Sequence, residues 1–566
     1  MSQRGEYYFS LNVQDPADIQ AINAICSVDA CNGASVVCYA NQTQYDNLLA
    51  ASYQPHLMTP PSMLEDHKMW DGSNRAEYDW DEYLTYSQYV SMMEGFPSTT
   101  VSGRTCTLLD LGTLSTSNHR KILGVRINNG QPNGKPRFLY TSTMHGDEVT
   151  GMILMLRLID ELCTSTNSRI VSLVNNLDIF IFPCTNPDGT YHGGNNTVNG
   201  ATRYNGNNVD LNRHFPDFDD GPHPDGQFSY QDEAQWMMDL AQQYLFTMGA
   251  NYHGGAEVVN YPWDTYRPVH PDDAWWRLVS TEYVTNARAV SSNYMTDTNN
   301  SGITNGYAWY TINGSRQDYM TYYAQCRELT LECSSSKTPN ASQLPSFWEC
   351  NHISMLAYME QSLKGVHGIV TDANTHQPIE GVTVTVEDHD ELGSWVTTHN
   401  VGDFHRPIKA GSYTFVFEKD GYCPEFVDVT VADGQTVNLE VEMSTGGCLT
   451  PAFTASATMI SLGQSINFTD NSYGGVVSWQ WTFEGATPST STQQNPTGIT
   501  YNESGAYDVT LTITDAEGYT ETLTKNDYII VDEAYIMQMA PLRPAAPCST
   551  IRAVPTATIA ATKTTR

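Results

Sequence analysis

A His-Gly-Asp-Glu step, set in the turn between an apolar strand pattern and an apolar helix pattern, restricts this chain to few folds. Arg137-Phe138-Leu139-Tyr140 reads as a strand. The segment 149–162 carries Met152, Met155, Leu156 and Ile159 at the spacing of one helix face. Between them stands Thr143-Met144-His145-Gly146-Asp147-Glu148-Val149. An imidazole and a carboxylate three residues apart across a tight turn can grip one ion. The strand end leading into a helix is where open α/β sheets place their sites. The donor pair suits zinc, which in a catalytic centre takes a third protein ligand and keeps one position open. On its own such a step can equally be a surface turn, so the rest of a site has to be found downstream.

Gly249-Ala250-Asn251-Tyr252-His253-Gly254-Gly255 offers a third ligand. His253 ends a short strand and two glycines let the backbone turn away; the alternative is a structural histidine, one of 15. Glu332 in Glu328-Leu329-Thr330-Leu331-Glu332 offers a base in an apolar strand. Burial raises a carboxylate's pKa toward the working pH, which suits a proton acceptor; a solvent-facing strand end is the other reading. Asp210-Leu211-Asn212-Arg213, with Arg203 shortly before it, brings guanidinium groups into a loop. Guanidinium is the natural clamp for a peptide C-terminus, and an arginine beside the metal can steady an oxyanion. Asn186-Pro187-Asp188-Gly189 has turn chemistry and is assigned no catalytic role.

Patterns along the chain predict six segments. Residues 1–62 read as a small α/β unit, with strands at 7–11 and 34–40 and helices at 15–25 and 42–51. It is either a free-standing accessory domain or a pro-segment that packs on an enzyme. Residues 63–82 read as an acidic, Trp-rich linker, with a helix beginning near Trp80. Over 83–364 short apolar strands (121–127, 177–182, 250–252, 329–332) alternate with helical stretches (231–246, 272–292, 345–363). That alternation predicts an α/β domain, a mixed central sheet with helices on both faces. Two all-β sandwich domains are expected to follow at 365–444 and 450–532, then a disordered tail at 533–566 rich in Pro, Ala and Thr.

Composition excludes some partners. Asp and Glu outnumber Lys and Arg by 63 to 28, a net charge of -35, which argues against nucleic acid and its need for a basic face. No apolar run is long enough for a membrane span. The start Met1-Ser2-Gln3-Arg4-Gly5 has no apolar core, so the chain is expected to be either cytosolic or the mature form left after a signal peptide is removed. The 12 cysteines include no C-x-x-C pair, and their pairing is not readable.

Six stretches stand in a fixed order: His145-Gly146-Asp147-Glu148, Asn186-Pro187-Asp188-Gly189, residues 203–215, Tyr252-His253-Gly254-Gly255 through Asn260-Tyr261-Pro262-Trp263-Asp264, residues 302–310, and Glu328-Leu329-Thr330-Leu331-Glu332. Together they resemble the zinc metallocarboxypeptidases, most closely the branch of carboxypeptidases N, E, M and D. The resemblance implies one zinc ion per catalytic domain, bound by His145, Glu148 and His253. It implies Glu332 as general base and later proton donor, and Arg203 as the group that polarises the scissile carbonyl. Asn212, Arg213 and Tyr310 would hold the substrate's terminal carboxylate, and Asp210 would accept a hydrogen bond from His145. Asp264, helped by Gln317, would favour C-terminal Lys or Arg; alternatively it caps a turn and the pocket is neutral. Two positions depart from the family. Asp147 replaces a usual Asn, and Asn313-Gly314-Ser315-Arg316-Gln317-Asp318 replaces a Gly-Gly-Met-Gln-Asp type loop, so Arg316 would oppose basic substrates if it pointed inward. Gly368-Ile369-Val370-Thr371-Asp372 resembles the transthyretin-like domain of the same branch. Trp479-Gln480-Trp481-Thr482-Phe483 and residues 505–511 resemble a polycystic-kidney-disease (PKD) repeat. The whole implies a secreted or cell-surface, bacterial, monomeric enzyme that acts on peptide or protein C-termini and releases Lys or Arg. Other C-terminal residues, cell-wall peptides, or a catalytically inactive adhesion protein are the alternatives.

Overall fold

The computed structural model describes residues 4–532 apart from 14–16, 33–34, 73–77, 446–448 and 517. The tail expected to be disordered, and the start of the helix expected at Asp15, lie outside the described residues. The chain folds as two compact units, one running to Leu363 and one from Lys364.

The first unit contains two sheets. The smaller joins β1 (Tyr7–Asn12), β2 (Ser27–Asn32), β3 (Ser35–Ala40) and β4 (His56–Leu57) in the order β2-β3-β1-β4. The helices Ala17–Asn23 and Gln42–Ala50 accompany it. A capping box sets the start of the second: Asn41 Oδ1 accepts from Gln44 N at 3.0 Å, and Gln44 Oε1 accepts from Asn41 N at 2.9 Å. Strand β2 escapes a reading by hydrophobic pattern, because Ser27 and Asp29 occupy alternate positions that a solvated face would take.

The larger sheet comprises β5 (Thr105–Thr113), β6 (Lys121–Asn128), β7 (Arg137–Ser142), β8 (Asp178–Phe182), β9 (Met248–His253), β10 (Ala256–Tyr261), β11 (Ile303–Asn305) and β12 (Arg327–Ser334). Its order is β11-β10-β12-β9-β7-β8-β6-β5. The central strands β8, β7, β9 and β12 run parallel, and β10 lies antiparallel to β12. The sheet is therefore mixed, as expected. Alternation along β7 divides its residues between two cores: Phe138 and Tyr140 join one, Leu139 the other. The helices Thr150–Thr164, Asp273–Val290 and Leu344–Gln361 supply the first core, and Asp232–Tyr244 and Arg316–Tyr322 the second. The parallel strands are thus covered on both faces.

Some elements differ from the sequence reading. The helix expected from Trp80 begins at Tyr86, where Thr85 caps it and Gln88 returns a bond to Thr85 N at 2.9 Å. Within the stretch expected as a linker, Trp70 and Tyr78 are buried in the first core, and Trp70 N donates to Tyr83 O at 2.7 Å. Edge strand β5 and helix Ser168–Asn176 were not anticipated.

The second unit is all-β. Its first sandwich contains β13 (Gly365–Asp372), β14 (Thr383–Val386), β15 (Val396–Thr397), β16 (Asp403–Arg406), β17 (Gly411–Glu418), β18 (Glu425–Val431) and β19 (Thr436–Met443). Sheets β16-β13-β19 and β15-β14-β17-β18 close over Val366, Val384, Phe404, Phe415 and Phe417. Residues 453–532 form further strands around Trp481 and Phe483.

Candidate active site

The chain turns sharply where β7 ends. Thr143 takes the left-handed φ of 60°, rare for a branched residue, and its hydroxyl donates to Pro183 O at 3.1 Å. Gly146 passes so close to the backbone of Gly189 and Thr190 that a Cβ would collide with it. The Asn186 turn braces this loop: its Nδ2 donates to Met144 O at 3.0 Å, and its Oδ1 accepts from Gly189 N at 2.8 Å. Strand β9 ends beside it on His253, in direct register with Glu332 of β12.

His145, Glu148 and His253 meet with their side chains at most 3% exposed. His145 Nδ1 lies 3.0 Å from Glu148 Oε1, His253 Nδ1 lies 2.8 Å from Glu148 Oε2, and the two Nδ1 atoms are 3.1 Å apart. Donors bound tetrahedrally to zinc are spaced about 3.3 Å, so the spacing and the donor set fit that ion. The remote nitrogens are also held. His145 Nε2 lies 3.1 Å from Asp210 Oδ1, and His253 Nε2 lies 2.7 Å from the Asn251 amide, contacts that fix ring orientation. Burial pushes the His253 pKa down to about 4, keeping it neutral as a ligand must be. Against its burial, His145, Lys337 and His253 hold Glu148 well below the usual carboxylate range.

Around this cluster lies a cavity lined by Arg203, Asn212, Arg213, Asp264, Tyr310 and Glu332 among others. Burial, reinforced by the neighbouring Glu148 charge, pushes the Glu332 carboxyl well above its ordinary pKa. Its Oε2 has no hydrogen-bond partner among the described residues. Arg203 is 4% exposed; despite that burial Asp210, Asp29 and Glu148 keep it charged. Its Nε donates to Asp210 Oδ2 at 2.9 Å. Arg213 Nε and Nη2 are buried without partners among the described residues. Burial raises the Tyr310 phenol as well.

Asp264 lies at the base of the cavity, where Asn260 Nδ2 and Gln317 Nε2 each donate to its Oδ1 at 3.0 Å. Burial pushes its pKa up to about 6. Gly306 packs against this carboxylate so tightly that any Cβ would strike it. Arg316 does not reach the cavity as a free charge. It is 1% exposed and paired bidentately with Glu328, Nε to Oε1 and Nη2 to Oε2, both at 3.0 Å.

The small N-terminal sheet enters the same site. Asp29 on β2 lines the cavity, 2.8 Å from Lys337 Nζ and 3.4 Å from Arg203 Nη1. Ser27 Oγ donates to Asp210 Oδ2 at 2.5 Å, and Tyr39 OH donates to Asp147 Oδ2 at 2.8 Å. The sequence reading missed Asp29 and Lys337. Lys337, whose Nζ also donates to Glu148 Oε1 at 2.6 Å, lies in a Ser-rich turn without a motif; only its place shortly after Glu332 was visible. All eleven residues singled out from the sequence fall in or directly behind this one site.

A mixed α/β sheet carrying a His-Glu-His cluster at its strand ends, a buried carboxylate beside it and two arginines across from it defines a metal-dependent hydrolase type of site. Known proteins narrow the class. The family model described as "Zinc carboxypeptidase" matches residues 101–354. Models for a carboxypeptidase regulatory-like domain and a PKD domain match 365–444 and 451–527. The chain is 36% identical to human carboxypeptidase D over 321 residues, 53% of this chain and 22% of that protein. It is 33% identical to carboxypeptidase E of Caenorhabditis elegans over 347 residues, 52% of this chain and 72% of that one. It is 32% identical to the carboxypeptidase N catalytic chain of Rattus norvegicus over 354 residues, 55% and 75% respectively. The chain belongs to the zinc carboxypeptidase family. It spans 22% of the length of human carboxypeptidase D.

Proposed function

We propose that the chain is a zinc-dependent metallocarboxypeptidase that hydrolyses the last peptide bond of peptides and proteins. The observation that carries this reading is the pairing of the partnerless Glu332 carboxylate with the partnerless Arg213 donors across one cavity that holds the His-Glu-His cluster. His145, Glu148 and His253 would hold zinc, which when bound polarises water and a peptide carbonyl. Glu332 takes the proton of the attacking water and passes it to the leaving amine. Arg203 faces the carbonyl oxygen as charge develops there. Arg213, with Asn212 and Tyr310, receives the free C-terminal carboxylate and so confines cleavage to the chain end. Chelator-sensitive release of a single C-terminal residue from a blocked dipeptide tests this; zinc-loaded protein that releases none after the N-terminal unit is removed would overturn it.

Asp264 favours C-terminal Lys or Arg in this reading. The neutralised Arg316 supports it, since the charge that would have opposed a basic side chain is taken up by Glu328. Asp264→Asn is expected to cut kcat/KM for C-terminal Arg by about 30-fold or more while barely changing release of Ala. The same pocket predicts a pH dependence. Asp264 is faced by Asp318, Asp217 and Arg213, and its raised pKa is about 6. As pH falls through that value the carboxyl becomes neutral, so kcat/KM for Arg falls relative to Ala, up to about tenfold per unit. A constant Arg-to-Ala ratio between pH 5 and 8 would exclude Asp264 as the specificity group.

The N-terminal unit is, in the same reading, an inhibitory pro-segment. Its Asp29 carboxylate occupies the Arg203–Lys337 cation pair beside the cluster, where a substrate carbonyl would approach. Asp147, the departure from the family's Asn, is the partner of Tyr39 from that unit. We place the working enzyme outside the cell: Cys423 is disulfide-bonded, a state favoured in oxidising compartments. No described helix is long and apolar enough to cross a membrane.

A further inference from the structure

Four buried side chains in the first sandwich of the second unit form a cluster that the peptidase reaction does not use. His367, His399, Asp403 and His405 are 6%, 5%, 2% and 7% exposed. Asp403 and His405 are two apart on β16 and share a face, while Phe404 between them turns into the core. His367 on β13 stands directly opposite His405 in the antiparallel register. His399 is delivered by a tight turn, in which His399 N donates to Asp403 O and Gly402 N to His399 O, both at 2.8 Å. Gly402 takes the left-handed φ of 76° that closes this turn.

The contacts leave one positive charge to be found. His367 Nε2 lies 3.2 Å from Lys364 O, which can only accept, so that nitrogen carries the hydrogen and Nδ1 of a neutral ring is a lone pair. His405 Nδ1, 2.7 Å away, must then donate to it. A neutral His405 would consequently turn the lone pair of Nε2 on the Asp403 carboxylate, 3.0 Å away. The same carboxylate oxygen lies 2.8 Å from His399 Nδ1, and the other, Oδ1, is buried without a hydrogen-bond partner among the described residues. A cation beside His405 Nε2, a proton or a metal ion, would relieve this opposition of lone pair and carboxylate.

We propose that this cluster is a second metal site, in which His399 Nδ1, the Asp403 carboxylate and His405 Nε2 bind a divalent transition-metal ion, zinc by its donor set. The three donor atoms lie within 4.8 Å of one another, close enough for small ring rotations to reach the about 2.0–2.2 Å bonds such ligands make. His367 is then the partner that fixes the tautomer and orientation of His405 from its far side. The ion would tie the His399 turn to β16, a structural clip within the sandwich.

The test is the zinc content of the full chain, stripped with chelator, reloaded with zinc chloride and passed through a desalting column. His399→Asn is expected to hold one equivalent per chain fewer than the unsubstituted protein; equal content would overturn the site and make the missing charge a proton. A second arm leaves the sandwich untouched. With His145→Ala and His253→Ala removing two donors of the other cluster, one equivalent is expected to remain, and a chain that retains none overturns the proposal.

Discussion

Replacing Glu332 by glutamine is expected to lower kcat by a factor of about 10² to 10⁴ while leaving zinc content and KM nearly unchanged. Glutamine keeps the shape of the side chain, so the register of β12 against β9 that holds position 332 beside His253 survives. What it loses is the ability to take a proton. The buried carboxyl has its affinity for a proton raised by desolvation and by Glu148, which is the condition for moving a proton from water to amine near neutral pH. The comparison should be made on protein freed of its N-terminal unit, so that occlusion of the cavity does not mask the difference. A variant within tenfold of the unsubstituted rate would remove Glu332 from the mechanism. A variant that also lost its metal would show that Glu332 acts through the cluster.

The half of this site proposed to be catalytic was legible because its residues sit at strand ends, where the sequence changes from apolar to polar within one or two positions. His145 follows β7, His253 closes β9 and Glu332 lies toward the end of β12, and each transition is visible in the residues themselves. The alternation of strands and helices carried the mixed sheet for the same reason. The half contributed by the N-terminal unit was not legible. Strand β2 carries Ser27 and Asp29 at positions that look solvated, and only the docking of one sheet on another shows that they face a site. Lys337 was hidden likewise, since a lysine in a Ser-rich turn carries no signal until its neighbours are known. Arg316 shows the reverse limit. Its sequence position suggested a charge in the pocket, whereas its partner Glu328 lies twelve residues away on β12, too remote in spacing to be paired by pattern.

The N-terminal unit joins these two halves, and severing it gives the other large expected effect. Cutting the chain between Leu57 and Ser62 divides it where contacts change sides. His56 and Leu57 complete the small sheet through β1, whereas Ser62 Oγ donates to Ala201 O at 2.7 Å and its carbonyl accepts from Gly200 N. A protease recognition sequence inserted after Thr59 is therefore expected to leave the small sheet and the larger sheet each intact. Peptidase activity after cleavage and separation is expected to rise by at least about 100-fold, the equivalent of about 2.7 kcal/mol of docking released. That magnitude is modest beside the ion pairs that separate. Breaking a buried ion pair by removing one partner costs about 3–5 kcal/mol, and Asp29 engages both Arg203 and Lys337. The excess is returned in part because both cations keep Glu148 and Arg203 also keeps Asp210. Asp29→Asn in the uncut chain should accordingly activate only partially, by about tenfold, since Ser27, Tyr39 and Asn23 still anchor the segment. Equal kcat/KM before and after cleavage would mean that substrate reaches the cavity past Asp29, and the unit would then be an accessory domain with no hold on the reaction.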